Sequence, residues 1–397
     1  MSIHRWLIFV AVVLGLSLGM HYYAFSRLVR PLALPASVMR LLPWFFGIMA
    51  LSIPLGPALS RLLPRTFSAP IAWIVYGWMG LIFITCAVLL VSEILRLPFS
   101  VWVEHHLADV AQPERRRFVA RGIAQMMAAA SVLLSGYGVW EALRKVRPKI
   151  VDIHLRKLPP ALSGLSVVQL TDLHIGPLLG KHFIEQLVKS TNQLAPDIIA
   201  ITGDLVDGSV SELGKSVAAL GDLRARYGVY FVTGNHEYYS GATAWVQYLT
   251  SLNIRVLRNE RVRIEHDDAA IEIAGIDDWS AGQFSDGHGA NLPLALANRD
   301  ASIPVILLAH QPRAVIEAAT WHVDLQLSGH THGGQIFPFN FLVRLQQPYV
   351  SGLHWHGPTQ IYVSQGAGFW GPPMRLGHPA EITHLRLHAP SRDLEPA

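Results

Sequence analysis

Long apolar stretches and short alternating ones divide the chain into two parts. Before residue 145, apolar stretches occur at residues 6–25, 41–59, 70–91 and 122–140. Each approaches the ~20 apolar residues that a helix needs to cross the hydrocarbon core of a bilayer. The third stretch has no charged residue and no polar face, which argues against a buried helix of a soluble domain. The pattern predicts an all-α transmembrane region of about four helices over residues 1–145.

After residue 146, short β-branched runs alternate with amphipathic stretches. The predicted strands are residues 166–170, 197–201, 229–232, 304–308 and 323–327, and the predicted helices are residues 181–194, 211–226, 242–252 and 313–319. A hairpin is predicted within residues 255–273, and a last pair of strands at residues 360–364 and 381–387. The alternation predicts an α/β domain over residues 146–388, with an aromatic-rich loop at 338–358 and a loose tail at 389–397.

Composition narrows the classes of function. The chain is 51% hydrophobic and only 15% charged, whereas a soluble domain carries about a quarter charged residues. Residues 1–150 carry a net charge of +10 and the remainder −6, which excludes a basic nucleic-acid-binding domain from the polar part. The single cysteine, Cys86, excludes disulfides and thiolate metal sites.

The distribution of basic residues leaves both orientations in the membrane open. The loops on the two sides of the spans carry eight and seven Lys or Arg residues, so the positive-inside rule does not decide. The run Arg115-Arg116-Arg117 before the fourth span resembles an internal twin-arginine export signal, although a plain basic flank is an equal alternative. With one basic residue, Arg5, before it, the first span fits an uncleaved helix better than a signal peptide. We expect a multi-pass inner-membrane protein with its polar domain on the periplasmic or exterior face.

A carboxylate, amide or imidazole follows each of five predicted strands in a turn that often contains Gly. Ligands of open α/β sheets gather beyond the carboxyl ends of the strands. The candidate metal ligands at these ends are Asp172, His174, Asp204, Asn235, His310, His330 and His332. Carboxylates and imidazoles suit divalent Mn, Fe or Zn, and two such ions can share a bridging carboxylate. The sequence therefore predicts a centre with two divalent metal ions.

These residues also carry a family resemblance. Asp-x-His, Gly-Asp-x-x-Asp, Gly-Asn-His-Glu, a single His and Gly-His-Thr-His occur in the order found in the calcineurin-like metallophosphoesterase superfamily. The longer form Gly-His-Thr-His-Gly-Gly-Gln, together with Gly366-Ala367-Gly368, is similar to its YkuE/YaeI-type membrane-associated branch. The resemblance covers residues 151–387 and implies a four-layer α-β-β-α sandwich.

The resemblance also implies roles for the site residues. One metal would be bound by Asp172, His174 and His332, and the second by Asn235, His310 and His330, with Asp204 bridging both. His236 would be the general acid, and Asp207 would orient it. From the residues alone, Asp207 has an alternative role as the cap of the following helix, and Glu237 fits a supporting role better than that of a ligand.

Together these features predict a membrane-anchored phosphohydrolase. Hydroxide held by two metals would attack a phosphoester or pyrophosphate, and aromatic residues between 337 and 370 favour an amphiphilic or lipid-linked substrate. The expected partners are this phosphorylated substrate and the membrane, with no nucleic acid. The alternative is a transporter or partner-binding module that carries a regulatory phosphoesterase domain. The scarcity of charge within the spans disfavours transport.

Overall fold

The structure is a computed structural model of the chain. It describes residues 3–62, 65–107, 113–284 and 288–390, and residues 391–397 of the predicted tail lie outside this part. The described residues form two compact units. One contains the residues up to Leu143 together with Gly371–Leu376, and the other contains residues 144–370 and those from Gly377 onward.

The helical unit contains long apolar helices. Within the described residues these are α1 (Ile3–Ala24), α2 (Ala36–Leu62), α3 (Arg65–Leu107) and α4 (Pro113–Leu143). Four segments are long and apolar enough to cross a membrane: Val10–Leu32, Ala36–Gly56, Phe67–Pro98 and Glu114–Leu143. They confirm the predicted region of about four candidate spans. The arginine run at 115–117 lies in the first turns of α4, because the helix begins before its apolar stretch.

Several polar groups inside the helical unit are paired with one another. The Trp78 Nε1–H donates to His21 Nε2 at 2.7 Å, and His21 Nδ1 lies 2.7 Å from the carbonyl oxygen of Ser17. The Ser17 hydroxyl donates to the carbonyl of Ala50 at 2.8 Å. Such bonds join helices where no water is available. An open apolar groove of about 540 Å³ is lined by side chains of α2, α3 and α4 and by Met374.

The second unit contains two β-sheets with helices. Its strands are β1 (Arg147–His154), β2 (Ser166–Leu170), β3 (Ile198–Thr202), β4 (Val229–Val232), β5 (Arg255–Val256), β6 (Glu260–His266), β7 (Ala269–Gly275), β8 (Val305–Leu308), β9 (Leu325–Ser328), β10 (Gly352–His356), β11 (Thr359–Val363) and β12 (Glu381–His388). Its helices are α5 (Lys181–Asn192), α6 (Val210–Val217), α7 (Asn235–Ser240), α8 (Ala242–Ser251), α9 (Leu292–Ala295), α10 (Val315–Thr320) and α11 (Asn340–Val343).

Two sheets pack face to face in this unit. Over the described residues, sheet one has the order β1-β12-β2-β3-β4-β5 and sheet two the order β10-β11-β9-β8-β7-β6. One apolar cluster joins their inner faces through residues such as Ile198 and Ile306. The outer face of sheet one packs on α5, α6 and α8, and that of sheet two on α9 and α10. The four-layer α-β-β-α sandwich is therefore confirmed, and the central parallel strands β3, β4, β8 and β9 are buried on both faces, as parallel strands require.

Most strand predictions are confirmed within one or two residues, and three details differ. β1 and β10 were not expected, because Arg147 and Lys149 resemble a membrane flank and 338–358 has no clear period. β11 and β12 do not pair with each other but lie in different sheets. The predicted helix 211–226 ends at Val217 and continues as a 3₁₀ turn, Ala218–Asp222, since Gly and Asp are poor helix formers.

Trp245 provides a test of the packing outside sheet one. It is fully buried on α8, and its Nε1–H donates to the carbonyl of Gly208 at 2.9 Å. We expect Trp245→Ala to lower the free energy of unfolding by about 3–5 kcal/mol, because it leaves a large cavity. The Tm of the full chain in detergent should fall by roughly 6–20 °C. Ile316→Ala, at an exposed position of α10, is the control, and an equal Tm for both variants would contradict this packing.

Candidate metal centre

The predicted site residues lie beyond the carboxyl ends of five strands. In sheet one, β2, β3 and β4 are parallel neighbours, so the turns after them lie at the same edge. In sheet two, β8 and β9 are likewise parallel neighbours. Eight of the nine predicted residues fall into three groups of potential ligand atoms, two of which share His174. Asn235, the ninth, is joined to them through its neighbour His236, whose backbone N–H donates to Asp204 at 2.9 Å.

The first cluster consists of Asp172, His174 and His332, all buried. The Nε2 atoms of His174 and His332 lie 3.1 Å apart, and the Oδ1 of Asp172 lies 3.4 Å from His332 Nε2. The rings of the two histidines are stacked, with centroids 5.0 Å apart. Three potential ligand atoms therefore converge on one small buried volume.

The second cluster consists of Asp204, His310 and His330. His310 Nδ1 lies 2.8 Å from the carbonyl oxygen of Thr202, to which it can only donate, so that Nε2 is the nitrogen that faces the cluster. This Nε2 lies 3.1 Å from Asp204 Oδ2 and 3.2 Å from His330 Nδ1. The ring is thus oriented with Nε2 toward the other two residues, where it could bind a metal after losing its proton.

An unpartnered amide oxygen supports the same interpretation. Asn235 Oδ1 is buried and has no hydrogen-bond partner among the described residues. A buried polar group without a partner costs about 1–3 kcal/mol, so a native structure retains one where it has a use. Oxygen and imidazole donors in this number fit divalent Mn, Fe or Zn. The residues present therefore fit the two ions that the sequence predicts.

A third group joins the first cluster to His236. Asp207 lies 3.2 Å from His174 Nδ1 through Oδ2 and 2.5 Å from His236 Nδ1 through Oδ1. The rings of His174 and His236 meet edge to face, with centroids 4.6 Å apart. Asp207 can therefore orient both imidazoles. The alternative role of Asp207 as a helix cap is wrong, because Ser209 is the residue before α6 and forms a capping box with Glu212.

Burial and neighbouring charges shift the pKa values of the site residues. Burial opposes ionisation of Asp204, but the imidazoles of His310 and His236 hold its pKa well below the ordinary value. Burial likewise opposes a charge on His236, yet Asp204 and Asp207 raise the pKa of its imidazole to about 9. Burial, reinforced by His310, lowers the pKa of His330 to about 3, which keeps it in the neutral form that binds metals.

The backbone of the site is held in an unusual conformation. Five of the seven candidate metal ligands have φ between 45° and 70°: Asp172, His174, Asp204, His330 and His332. Non-glycine residues adopt this left-handed region rarely, at a cost of about 1–3 kcal/mol each, and such residues cluster at functional sites. The glycines of the motifs allow the turns to approach one another. A Cβ on Gly234 would collide with the Asp204 carboxylate, and one on Gly329 with Asp172.

Glu237 fixes the turn that carries Asp204. Its buried carboxylate accepts the backbone N–H groups of Asp204 at 3.0 Å, Leu205 at 2.8 Å and Gly234 at 2.6 Å. These bonds leave it no role as a ligand and agree with the supporting role expected from the sequence.

The sequence interpretation assigned no role to two residues beside the site, Asp278 and Gln311. Asp278 is fully buried after β7, and Gln311, the neighbour of His310, donates to both of its carboxylate oxygens at 3.1 Å. Asp278 shows the same signal as the motifs, a carboxylate at the end of an apolar strand, and could have been found from it. Trp370, one of the aromatic residues from which the sequence suggested an amphiphilic substrate, has its ring centroid 5.8 Å from that of His236.

Comparison with known proteins agrees with this geometry. A profile of the calcineurin-like phosphoesterases matches residues 165–334. A Bos taurus transmembrane protein with a metallophosphoesterase domain is 44% identical over 270 residues, which are 65% of this chain and 61% of that protein. A Helicobacter pylori metallophosphoesterase is 42% identical, with 64% and 68% covered. The metallophosphoesterase YkuE of Bacillus subtilis is 30% identical, with 69% and 97% covered.

Gly234 tests whether the close approach of the turns is needed to hold metal. We expect Gly234→Ala to displace the Asp204 carboxylate and to lower the metal content of the purified full chain, measured by mass spectrometry after dialysis. Gly180→Ala is the matched control, because no heavy atom lies within 4 Å of the Cβ it would add. Equal metal content in the two variants would show that this contact does not shape the site.

Proposed function

The chain belongs to the calcineurin-like metallophosphoesterase family, and from that premise we propose that it is a membrane-anchored phosphohydrolase with two metals, which cleaves phosphoester or pyrophosphate bonds. The observation that carries the proposal is the convergence of buried, mutually facing ligand atoms in the first and second clusters. The chain spans 61% of the length of its bovine relative, so the activity is inferred from this chain's own residues.

The metal ligands follow from the clusters. Asp172, His174 and His332 would hold one ion, His310, His330 and Asn235 the other, and Asp204 would bridge the two. Asp204 Oδ2 lies 3.1 Å from His310 Nε2 and 3.8 Å from His174 Nε2, between the clusters, as a bridging ligand must. When bound, divalent ions of Mn, Fe or Zn would polarise the phosphoryl oxygens and provide hydroxide at neutral pH.

His236 is positioned to donate the proton that the leaving group needs. Its ring is only partly buried, and Asp207 holds Nδ1, which leaves Nε2 to face the substrate. An imidazole with a raised pKa carries its proton at neutral pH and can transfer it to a leaving oxygen. Asp207 contributes by fixing the orientation of this ring and that of His174.

The substrate we propose is amphiphilic or lipid-linked. Around His236, the rings of Tyr239 and Trp370 lie with centroids at 5.2 Å and 5.8 Å, so the reacting group would be bordered by aromatic surface. The candidate spans and the transmembrane relative suggest membrane association, which fits a substrate of this kind.

Different leaving groups test the role of His236. With a phosphodiester that releases an alkoxide, we expect His236→Ala to lower kcat by roughly 10²–10⁴-fold, because the leaving oxygen must be protonated. With a nitrophenyl ester the loss should be much smaller, since nitrophenolate leaves without a proton. Asp204→Ala should abolish metal binding and both activities, whereas Asp222→Asn, at an exposed carboxylate, should change neither. Equal losses for both esters in His236→Ala would contradict the acid role.

We further propose that the protein is a multi-pass protein of the inner membrane whose catalytic unit faces the periplasm or exterior. Labelling of Leu294→Cys, an exposed position of α9, with a membrane-impermeant maleimide tests this. Cys86→Ser removes the natural thiol. We expect labelling in right-side-out membrane vesicles and protection in inside-out ones, and the reverse pattern would place the unit in the cytoplasm.

A further inference from the structure

Beyond the Gly-His-Thr-His turn, the second unit exposes a group of large apolar side chains. Their exposed fractions lie between 48% and 81%, and they are Phe337, Phe341, Leu342, Leu345 and Trp370, called here the apolar rim. Single exposed apolar residues are ordinary on protein surfaces. A contiguous group of them marks a place where another apolar body binds.

The members of the apolar rim are held together by defined contacts. The rings of Phe337 and Phe341 meet edge to face with centroids 5.8 Å apart, and Leu342 follows on the same short helix, α11. Gln335 attaches Trp370 to this segment: its Nε2–H donates to the Trp370 carbonyl, and its Oε1 accepts the Trp370 N–H, both at 3.0 Å. The rim is therefore a built surface.

This surface borders the metal centre. Phe337 follows the first-cluster residue His332 by five positions, and the Trp370 ring lies with its centroid 5.8 Å from that of His236. Whatever covers the rim therefore lies beside the group that we propose as the general acid.

The chain itself indicates what covers the rim. Directly after Trp370 the chain enters Gly371–Leu376, a segment that belongs to the unit of apolar helices. Arg344 is exposed among the rim residues, and a basic side chain among exposed Phe and Leu residues is typical of surfaces that lie in the headgroup region of a bilayer. Because the rim is continuous in sequence with the unit of candidate spans, this continuity favours a bilayer as the body that covers it. It gives no reason to expect a protein partner.

We propose that the apolar rim binds the surface of the phospholipid bilayer and holds the mouth of the metal centre at the level of the lipid headgroups. An amphiphilic substrate would then present its phosphate to the site without leaving the membrane, a consequence that rests on the proposed function. The binding of the rim to lipid does not depend on the proposed function.

A fluorescent label on the rim tests the proposal without any need for turnover. The full chain with Cys86→Ser and Leu345→Cys is labelled with a nitrobenzoxadiazole maleimide and reconstituted in vesicles of phosphatidylcholine and phosphatidylglycerol. Leu294→Cys in the same background is the matched control, because it is another exposed leucine of the second unit, 60% exposed against 81% for Leu345.

We expect the label at position 345 to emit at shorter wavelength than the control and to be quenched roughly twofold more by spin-labelled lipids, as for a residue at the interface. Equal emission and quenching at the two positions would overturn the proposal. A blue-shifted label at 345 that spin-labelled lipids do not quench would also overturn it, and would assign the rim to a second copy or a protein partner. Failure of the hydrolase assays would leave this result unaffected.

Discussion

The Nε2 atoms of His174 and His332 face each other at 3.1 Å in a buried pocket, and His310 Nε2 faces His330 Nδ1 at 3.2 Å. Two imidazole nitrogens this close need a proton or a metal cation between them, and both pairs are buried. With Asp172 and Asp204 added, each cluster has the donor atoms that an incomplete shell around a cation would need. The rest of the catalytic unit is best understood as the framework that keeps these acceptors together.

That framework uses three devices. Parallel strands bring five turns to adjacent edges of two packed sheets. Most of the ligands occupy left-handed backbone, whose cost is met by hydrogen bonds between turns, such as those from the His330 N–H to the Asp172 carboxylate at 3.0 Å. Glu237 then anchors the Asp204 turn. Asp207 contacts both His174 and His236, so one carboxylate connects the proposed metal ligand to the proposed general acid.

The fold and most of the site could be predicted because each motif follows an apolar strand, which makes the strand and its polar residue visible together. Asp278 shows the same pattern but belongs to none of the family's motifs, and it was not recognised. The bonds of Glu237 depend on two turns some 30 positions apart, which no local pattern encodes. β1 pairs with β12 across more than 200 residues, and its basic start resembles the flank of a span. The structure was needed to exclude Asp207 as the cap of α6, because it shows Ser209 in that position.

Diffraction from metal-loaded crystals, recorded at the absorption edge of the metal, tests the two-metal centre most directly. We expect two anomalous peaks in each chain, one among Asp172, His174 and His332 and the other among Asp204, His310 and His330, with Asp204 in contact with both. A single peak, or peaks outside these two clusters, would contradict the centre described here.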